Sequence, residues 1–69
     1  MSRRRREIYT FVLKAGPIGV TKTDLLLKFF GGSESDISLR TTIHYINKLI
    51  APMRLATRGG IIRLQPIND

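Results

Sequence analysis

The chain has no cysteine, and it contains few acidic and few aromatic residues. Without cysteine it can form neither a disulfide framework nor a thiolate zinc site, which fits a reducing compartment. Aromatic residues make up only 7% of the chain, which counts against a surface that stacks single-stranded bases. A chain of 69 residues buries only about 60% of the surface that its unfolded form exposes. We therefore expect one small domain over residues 1–69 that depends on a compact core.

The chain also lacks a long hydrophobic run. The apolar stretch Ile8–Leu13 has six residues, includes Tyr9 and Thr10, and lies between Glu7 and Lys14. This stretch is too short and too polar for a secretory core or a membrane span. No internal repeat or low-complexity segment is present apart from an arginine run near the N-terminus. We expect a soluble cytoplasmic protein with no membrane partner.

Residue types that carry out catalysis are scarce. His44 is the only histidine, and with no cysteine in the chain and no acid on its helix face it completes neither a metal site nor a Ser-His-Asp relay. The Gly-Gly pairs at positions 31 and 59 lack the strand-loop-helix context of a nucleotide cradle. We expect no enzymatic activity, no cofactor, no metal and no small-molecule ligand.

Positive charge is abundant and unevenly distributed. Twelve Lys and Arg residues against five acids give a net charge of +7, which predicts attraction to a polyanion. Nucleic acid is the first candidate and an anionic membrane surface is the second. From Ile37 to Asn68 the chain has no acidic residue and five basic ones: Arg40, Lys48, Arg54, Arg58 and Arg63.

The first part of the chain predicts one helix and a short extended segment. Ser2 can cap a helix running roughly from Arg3 to Ala15, with an apolar stripe at i, i+3, i+4 and i+7, and Gly16 with Pro17 ends it. Four arginines in the first turn are unfavourable to the helix dipole. Residues 1–6 are therefore interpreted as a basic arm on DNA, a solubilising tail or a localisation signal. Ile18–Val20 is long enough only for a bridging strand.

Two further helices follow. Thr21 is an N-cap with Asp24 three residues on, so a second helix spans about Lys22 to Phe30 and ends at Gly31-Gly32. It is predicted to bury Leu25, Leu26 and Phe29. Ser33 or Ser35 can start a third helix from about Asp36 to Ile50, which Pro52 terminates. Its narrow apolar stripe holds Leu39, Ile43, Ile46 and Ile50, and the opposite arc holds Thr41, His44, Tyr45 and Lys48, with Arg40 and Asn47 at its borders.

The C-terminal segment predicts a β-hairpin. Met53–Thr57 and Ile61–Gln65 are strands joined by a two-residue turn at Gly59-Gly60. This turn pairs Thr57 with Ile62 and Leu55 with Leu64 on one face, which can be the core face. The other face then receives Arg54, Arg63 and the tip residue Arg58.

Helix, short strand, helix, helix and hairpin in this order predict a mainly α fold with a small β-sheet, a winged helix-turn-helix. The sequence LRTTIHYINKLI at 39–50, followed by ATRGGIIRL at 56–64, resembles the C-terminal DNA-binding domain of OmpR/PhoB-type response regulators. Val20–Leu26 is similar to the start of their second helix. Adjacent wing glycines and a short joint between helix and wing depart from that family. The resemblance therefore implies architecture rather than two-component signalling, and the size is typical of a stand-alone phage, plasmid or archaeal regulator.

In this architecture the third helix enters a major groove and the wing contacts the backbone or minor groove of double-stranded DNA. The sequence thus predicts sequence-specific DNA binding by a small transcriptional regulator, associated with the nucleoid when bound. The expected contacts lie on four segments. They are the recognition helix with Arg40, Thr41, His44, Tyr45 and Lys48; the wing with Arg54, Arg58, Gly59 and Arg63; the start of the second helix with Thr21, Lys22 and Thr23; and the basic arm with Arg3, Arg4, Arg5 and Arg6.

Other interpretations fit parts of the same pattern. A polar helix back and a charged edge hairpin also occur on ordinary surfaces. The rival function is a protein-interaction module whose basic face binds an acidic protein, as an inhibitor or adaptor does, and RNA or ribosome binding is a third. Because one module makes limited contacts, DNA binding predicts a homodimer or cooperative binding of adjacent copies. The candidate self-contact residues are Tyr9, Leu13, Leu27 and Phe30.

Overall fold

The computed structural model describes residues 2–31 and 36–67, which form three helices and a small three-stranded antiparallel sheet. This confirms the predicted mainly α fold with a β-wing, and the layout is compatible with a winged helix. Within these residues no helix combines the length and the apolar character needed to cross a bilayer. The elements are α1 Arg3–Ala15, a 3₁₀ turn Gly16–Ile18, β1 Val20–Thr21, α2 Lys22–Phe30, α3 Asp36–Ile50, β2 Met53–Arg58 and β3 Ile61–Pro66.

The bounds of all three helices agree with those predicted, because local capping chemistry sets most of them. The Ser2 hydroxyl accepts a hydrogen bond from the Arg5 amide at 3.3 Å, and the Thr21 hydroxyl accepts one from the Asp24 amide at 3.0 Å. Each cap satisfies one of the amides that a helix start leaves without an intrahelical partner. The predicted caps of the third helix, Ser33 and Ser35, lie outside the described residues.

The sheet has the strand order β1-β3-β2, and the predicted hairpin register is confirmed, with Leu55 opposite Leu64 and Thr57 opposite Ile62. Gly59 and Gly60 form the two-residue turn with φ of +59° and +77°. Positive φ at both positions is the conformation whose twist matches a hairpin, and glycine adopts it at no steric cost. Each hairpin strand is one residue longer than predicted.

The segment before α2 differs from the prediction. Ile18 was expected in a bridging strand with Val20, but it ends the 3₁₀ turn, and the strand is Val20–Thr21, paired with β3. Pro17 favours the turn because its ring fixes a helical φ. Gly19 (φ +77°) then redirects the chain so closely past β3 that a Cβ there would lie 2.6 Å from the Ile62 carbonyl oxygen.

The core is a single cluster between the helices and the sheet. Its buried members are Ile8, Val12, Val20, Leu25, Phe30, Leu39, Ile46, Leu55 and Ile62. Leu26 and Phe29, predicted to be buried, are half-buried against this cluster.

Phe30 was wrongly expected among the self-contact residues. It is only 7% exposed and belongs to the core. The buried stripe of α2, from Leu25 to Phe30, spans about 140° of the helix at about 100° per residue, which is wider than the pattern suggested. Tyr9 also packs against the core, whereas Leu13 and Leu27 are exposed.

Candidate nucleic-acid interface

The exposed face of α3 carries most of the residues predicted to read DNA. Leu39 and Ile46 are almost completely buried, at 1% and 0% exposure, and they fix the helix against the core. The opposite arc, with Thr41, His44 and Lys48, is therefore open to solvent. The α3 face thus forms the centre of the candidate interface.

One border of α3 faces the wing and the start of α2. Arg40, on α3, lines a concavity of about 350 Å³ together with Lys22 of α2 and Thr57 of β2. The Lys22 amide donates a hydrogen bond to the Gly60 carbonyl oxygen at 2.8 Å, and Thr21 pairs with Ile61. The hairpin turn is therefore held against the start of α2. Three segments that were predicted separately adjoin one another here.

Asn47 fastens α3 to the wing, and its role was missed from the sequence. Its side-chain oxygen accepts a hydrogen bond from the Leu55 amide at 2.7 Å, and its side-chain nitrogen donates one to the Leu55 carbonyl oxygen at 3.3 Å. Backbone groups along an antiparallel strand alternate in direction, and the two groups of Leu55 bond to Asn47 on the side away from β3. Because β2 is an outer strand of the described sheet, no further strand pairs with it on that side. The amide of Asn47 thus replaces a neighbouring strand at this position and fixes the wing relative to α3.

The three wing arginines differ in burial and in their hydrogen bonds to the rest of the protein. The Nε–H of Arg63 donates to the Pro17 carbonyl oxygen at 3.0 Å, and the side chain is half-buried over Gly19. Arg54 and Arg58 are exposed. On the outer face of the hairpin, Arg63 therefore holds the segment before α2 in place, whereas Arg54 and Arg58 are accessible to a ligand.

The other border of α3 faces the first turn of α1. The guanidinium carbon of Arg5 lies 4.6 Å from the centroid of the Tyr45 ring, and the Lys48 ammonium lies 5.8 Å from the same centroid. The His44 ring meets Tyr45 edge-on at 6.0 Å. Cations from two helices therefore contact Tyr45, and its contact with Arg5 joins the first turn of α1 to the α3 face.

The remaining arginines of this turn have their own neighbours. Residues 3–6 are helical and form the first turn of α1. The Arg4 guanidinium lies 5.1 Å from the Phe30 ring centroid, and Arg3 pairs with Glu7 at 3.2 Å. Arg6 is exposed. The predicted arm is thus continuous with α1, and among its described contacts it is Arg5 that reaches α3.

The segment that carries the open face of α3 and the wing has charge of one sign. Between Ile37 and Ile67 the chain has five basic residues and no acid. An α-helix with its side chains is about 10–12 Å across, and the major groove of B-DNA is about 12 Å wide. A helix bordered on both sides by arginines can enter that groove while the flanking cations approach the phosphates of its two walls.

Comparison of the chain with protein-family models, with curated proteins and with solved structures gave no match. The resemblance to OmpR/PhoB-type domains therefore stays a prediction.

Proposed function

We propose that this protein binds double-stranded DNA in a sequence-specific manner and acts in the cytoplasm as a small transcriptional regulator. One observation carries the proposal: the exposed face of α3 lies between two arginine-bearing borders, with no acidic residue from 37 to 67. An ordinary solvated surface mixes both signs of charge. An exposed helix face with cations on both borders is suited to the phosphates and the major groove of a duplex.

We assign some residues to base contacts and others to phosphate contacts. Thr41, His44 and Lys48 on the open arc of α3 contact base edges and nearby phosphates. Arg40 approaches the backbone from the wing border, and Arg5 does so from the α1 border. Arg54 and Arg58 extend the contact along the hairpin, in or beside the minor groove. Arg63 contributes less to DNA contact, because its Nε–H already donates a hydrogen bond to the Pro17 carbonyl oxygen.

The start of α2 contributes indirectly as well as by contact. The Thr21 side chain is engaged as a helix cap, and the Lys22 backbone holds the hairpin turn. Thr23 is exposed and open to a phosphate. One module of this size makes limited contacts, so specific binding uses two copies on adjacent sites.

The proposal is tested by measuring affinity for duplex DNA across a salt series and then by comparing two variants. Neutralising about five phosphates predicts a slope of about −4.5 for log K against log salt concentration. Arg58→Ala should weaken all sequences nearly equally, whereas Thr41→Ala should relax the preference for particular bases. Sites selected from random duplexes supply the sequences for this comparison.

Each result bears on a different part of the proposal. Undetectable duplex binding at moderate salt, or binding that is insensitive to salt, would refute it and favour an acidic protein as the ligand of this face. Sequence-blind losses from both variants would refute specific reading and reduce the function to general DNA binding. A loss confined to particular bases for Thr41→Ala supports reading by α3.

A further inference from the structure

A second surface lies on the other flank of α1, where this helix meets α2. Phe11 and Phe29 are half-buried and stack edge to face, with ring centroids 5.8 Å apart and an interplanar angle of 73°. The Lys28 ammonium lies 5.3 Å from the Phe11 centroid and 5.9 Å from the Phe29 centroid. Lys28 thus stands over an aromatic pair that is incompletely covered by the core.

Two shallow cavities meet at this pair and form what we call the α1–α2 groove. One, of about 400 Å³, is lined by the two phenylalanines with Arg6, Glu7, Lys14 and Lys28, and by Thr10. The other, of about 390 Å³, shares Phe11 and Lys28 and adds Asp24 and Leu27. Leu27 is 62% exposed although it is a large apolar side chain. None of these residues lines the concavities on the exposed side of α3.

The charge of the groove distinguishes it from the rest of the molecule. Its lining includes two acids, Glu7 and Asp24, and three cations, Arg6, Lys14 and Lys28. Glu7 also pairs with Arg3 at 3.2 Å. Residues 37–67, by contrast, include five cations and no acid. In a chain of net charge +7, two copies repel each other over most approaches. The α1–α2 groove is a surface on which opposite charges can be matched.

We propose that the α1–α2 groove is a self-association surface, occupied by the same groove of a second copy. A two-fold interface places one surface patch against itself, so the patch must carry both signs of charge to be self-complementary. The carboxylates of one copy meet Lys14 and Lys28 of the other, and Leu27 enters the aromatic groove of its partner. The consequence for DNA, that two copies bind adjacent sites cooperatively, rests on the proposed function.

The dependence on salt concentration distinguishes self-association from DNA binding. Net repulsion between two strongly basic copies is screened when the Debye length falls from about 10 Å at 0.1 M to about 3 Å at 1 M salt. Salt also screens ion pairs across the groove, but exposed ion pairs contribute little. Association through the apolar contacts of the groove should therefore strengthen over this range. Binding to phosphates weakens over the same range because counterions compete. The two interactions respond to salt with opposite sign.

The experiment is sedimentation velocity of the full chain without DNA, over a concentration series up to about 1 mM and at both salt concentrations. We expect reversible dimers that become more abundant at high salt. Leu27→Asp should weaken dimerisation about tenfold or more, as loss of an anchor side chain does at an interface. Leu27→Ala should act in the same direction with a smaller effect.

Leu13→Asp is the matched control. The sequence made Leu13 a self-contact candidate together with Leu27, but Leu13 does not line the groove. It is another exposed leucine, at 49%, and its substitution changes the net charge equally. It should leave dimerisation within about twofold, a change of well under 1.4 kcal/mol. Thermal unfolding of both aspartate variants verifies that each is folded.

A chain that stays monomeric at every concentration and salt would overturn the inference and assign the groove to a different partner. Equal weakening by Leu13→Asp and Leu27→Asp would also overturn it. Affinity for a one-site duplex tests the proposed function separately, because both variants should lower it equally through their shared charge change. On a two-site duplex, only Leu27→Asp should lose cooperativity.

Discussion

The two borders of α3 are held by different interactions. On the wing border, Asn47 makes two hydrogen bonds to the backbone of Leu55, at 2.7 and 3.3 Å. On the α1 border, the Arg5 guanidinium lies against the Tyr45 ring at 4.6 Å, with no hydrogen bond between them among those described. Both borders place arginines beside the same helix face. The wing border is fixed by directional hydrogen bonds, whereas the α1 border depends on a cation–π contact that has little directional preference.

This difference predicts a rigid side and an adjustable side. Hydrogen bonds are directional, so the Asn47 pair sets the register between α3 and β2. A cation over an aromatic face tolerates sliding and contributes about 0.5–1 kcal/mol at an exposed site. Backbone groups that lose their partners cost about 1–3 kcal/mol when they are buried. The wing should therefore keep its place relative to α3, while Arg5 can shift over the Tyr45 ring when a ligand binds.

The largest effect is expected from Asn47→Ala. The variant removes both partners of the Leu55 backbone groups on the outer edge of β2, so the free energy of unfolding should fall by about 2 kcal/mol. Chemical denaturation measures this loss. Amide hydrogen exchange at Leu55 should accelerate more than at residues of α1.

Leu49→Ala controls for truncation of a side chain on the same helix. Leu49 is 58% exposed, and replacement by a good helix former should change stability by no more than about 0.5 kcal/mol. Equal losses for the two variants, or unchanged exchange at Leu55, would show that Asn47 does not fix the wing.

A smaller effect is expected from Arg63→Ala, with Arg54→Ala as its matched control. Both side chains lie on the outer face of the hairpin, but only Arg63 donates a described hydrogen bond to the Pro17 carbonyl oxygen. Arg63→Ala should lower the free energy of unfolding by about 1 kcal/mol. Arg54→Ala should leave stability nearly unchanged and lower duplex affinity more. The reverse ranking in either measurement would contradict the division into bracing and contacting arginines.

Local chemistry explains what could be predicted from the sequence. The helix bounds follow from caps such as Ser2 and Thr21, and from apolar periodicity, which are interactions within a few residues. The hairpin register follows from Gly59-Gly60, because a two-residue turn leaves one pairing that keeps Leu55 and Leu64 on the same face. The charge asymmetry could also be read directly, since it needs no structure.

Tertiary contacts explain what could not be predicted. Arg63 and Pro17 are 46 residues apart, and only the pairing of β1 with β3 brings them together. In the sequence Asn47 lies only at the border of the polar arc of α3. Its hydrogen bonds to Leu55 require β2 to be an outer strand, and the order of strands in the sheet cannot be derived from the spacing of the strands along the chain. Phe30 was wrongly predicted to be a surface residue, because the width of the buried stripe on α2 depends on the elements packed around that helix.

The smallest expected effect tests the α1 border. Arg5→Ala and Arg3→Ala each remove one charge from the first turn of α1, but only Arg5 stacks on Tyr45. A double-mutant cycle of Arg5→Ala with Tyr45→Leu should give a coupling free energy of about 0.5–1 kcal/mol in unfolding experiments. The same cycle built with Arg3→Ala should give a value near zero. Equal coupling in both cycles would mean that α1 is attracted to α3 only by general electrostatics. The hydrogen-bonded wing would then be the one border of α3 that a specific side-chain contact defines.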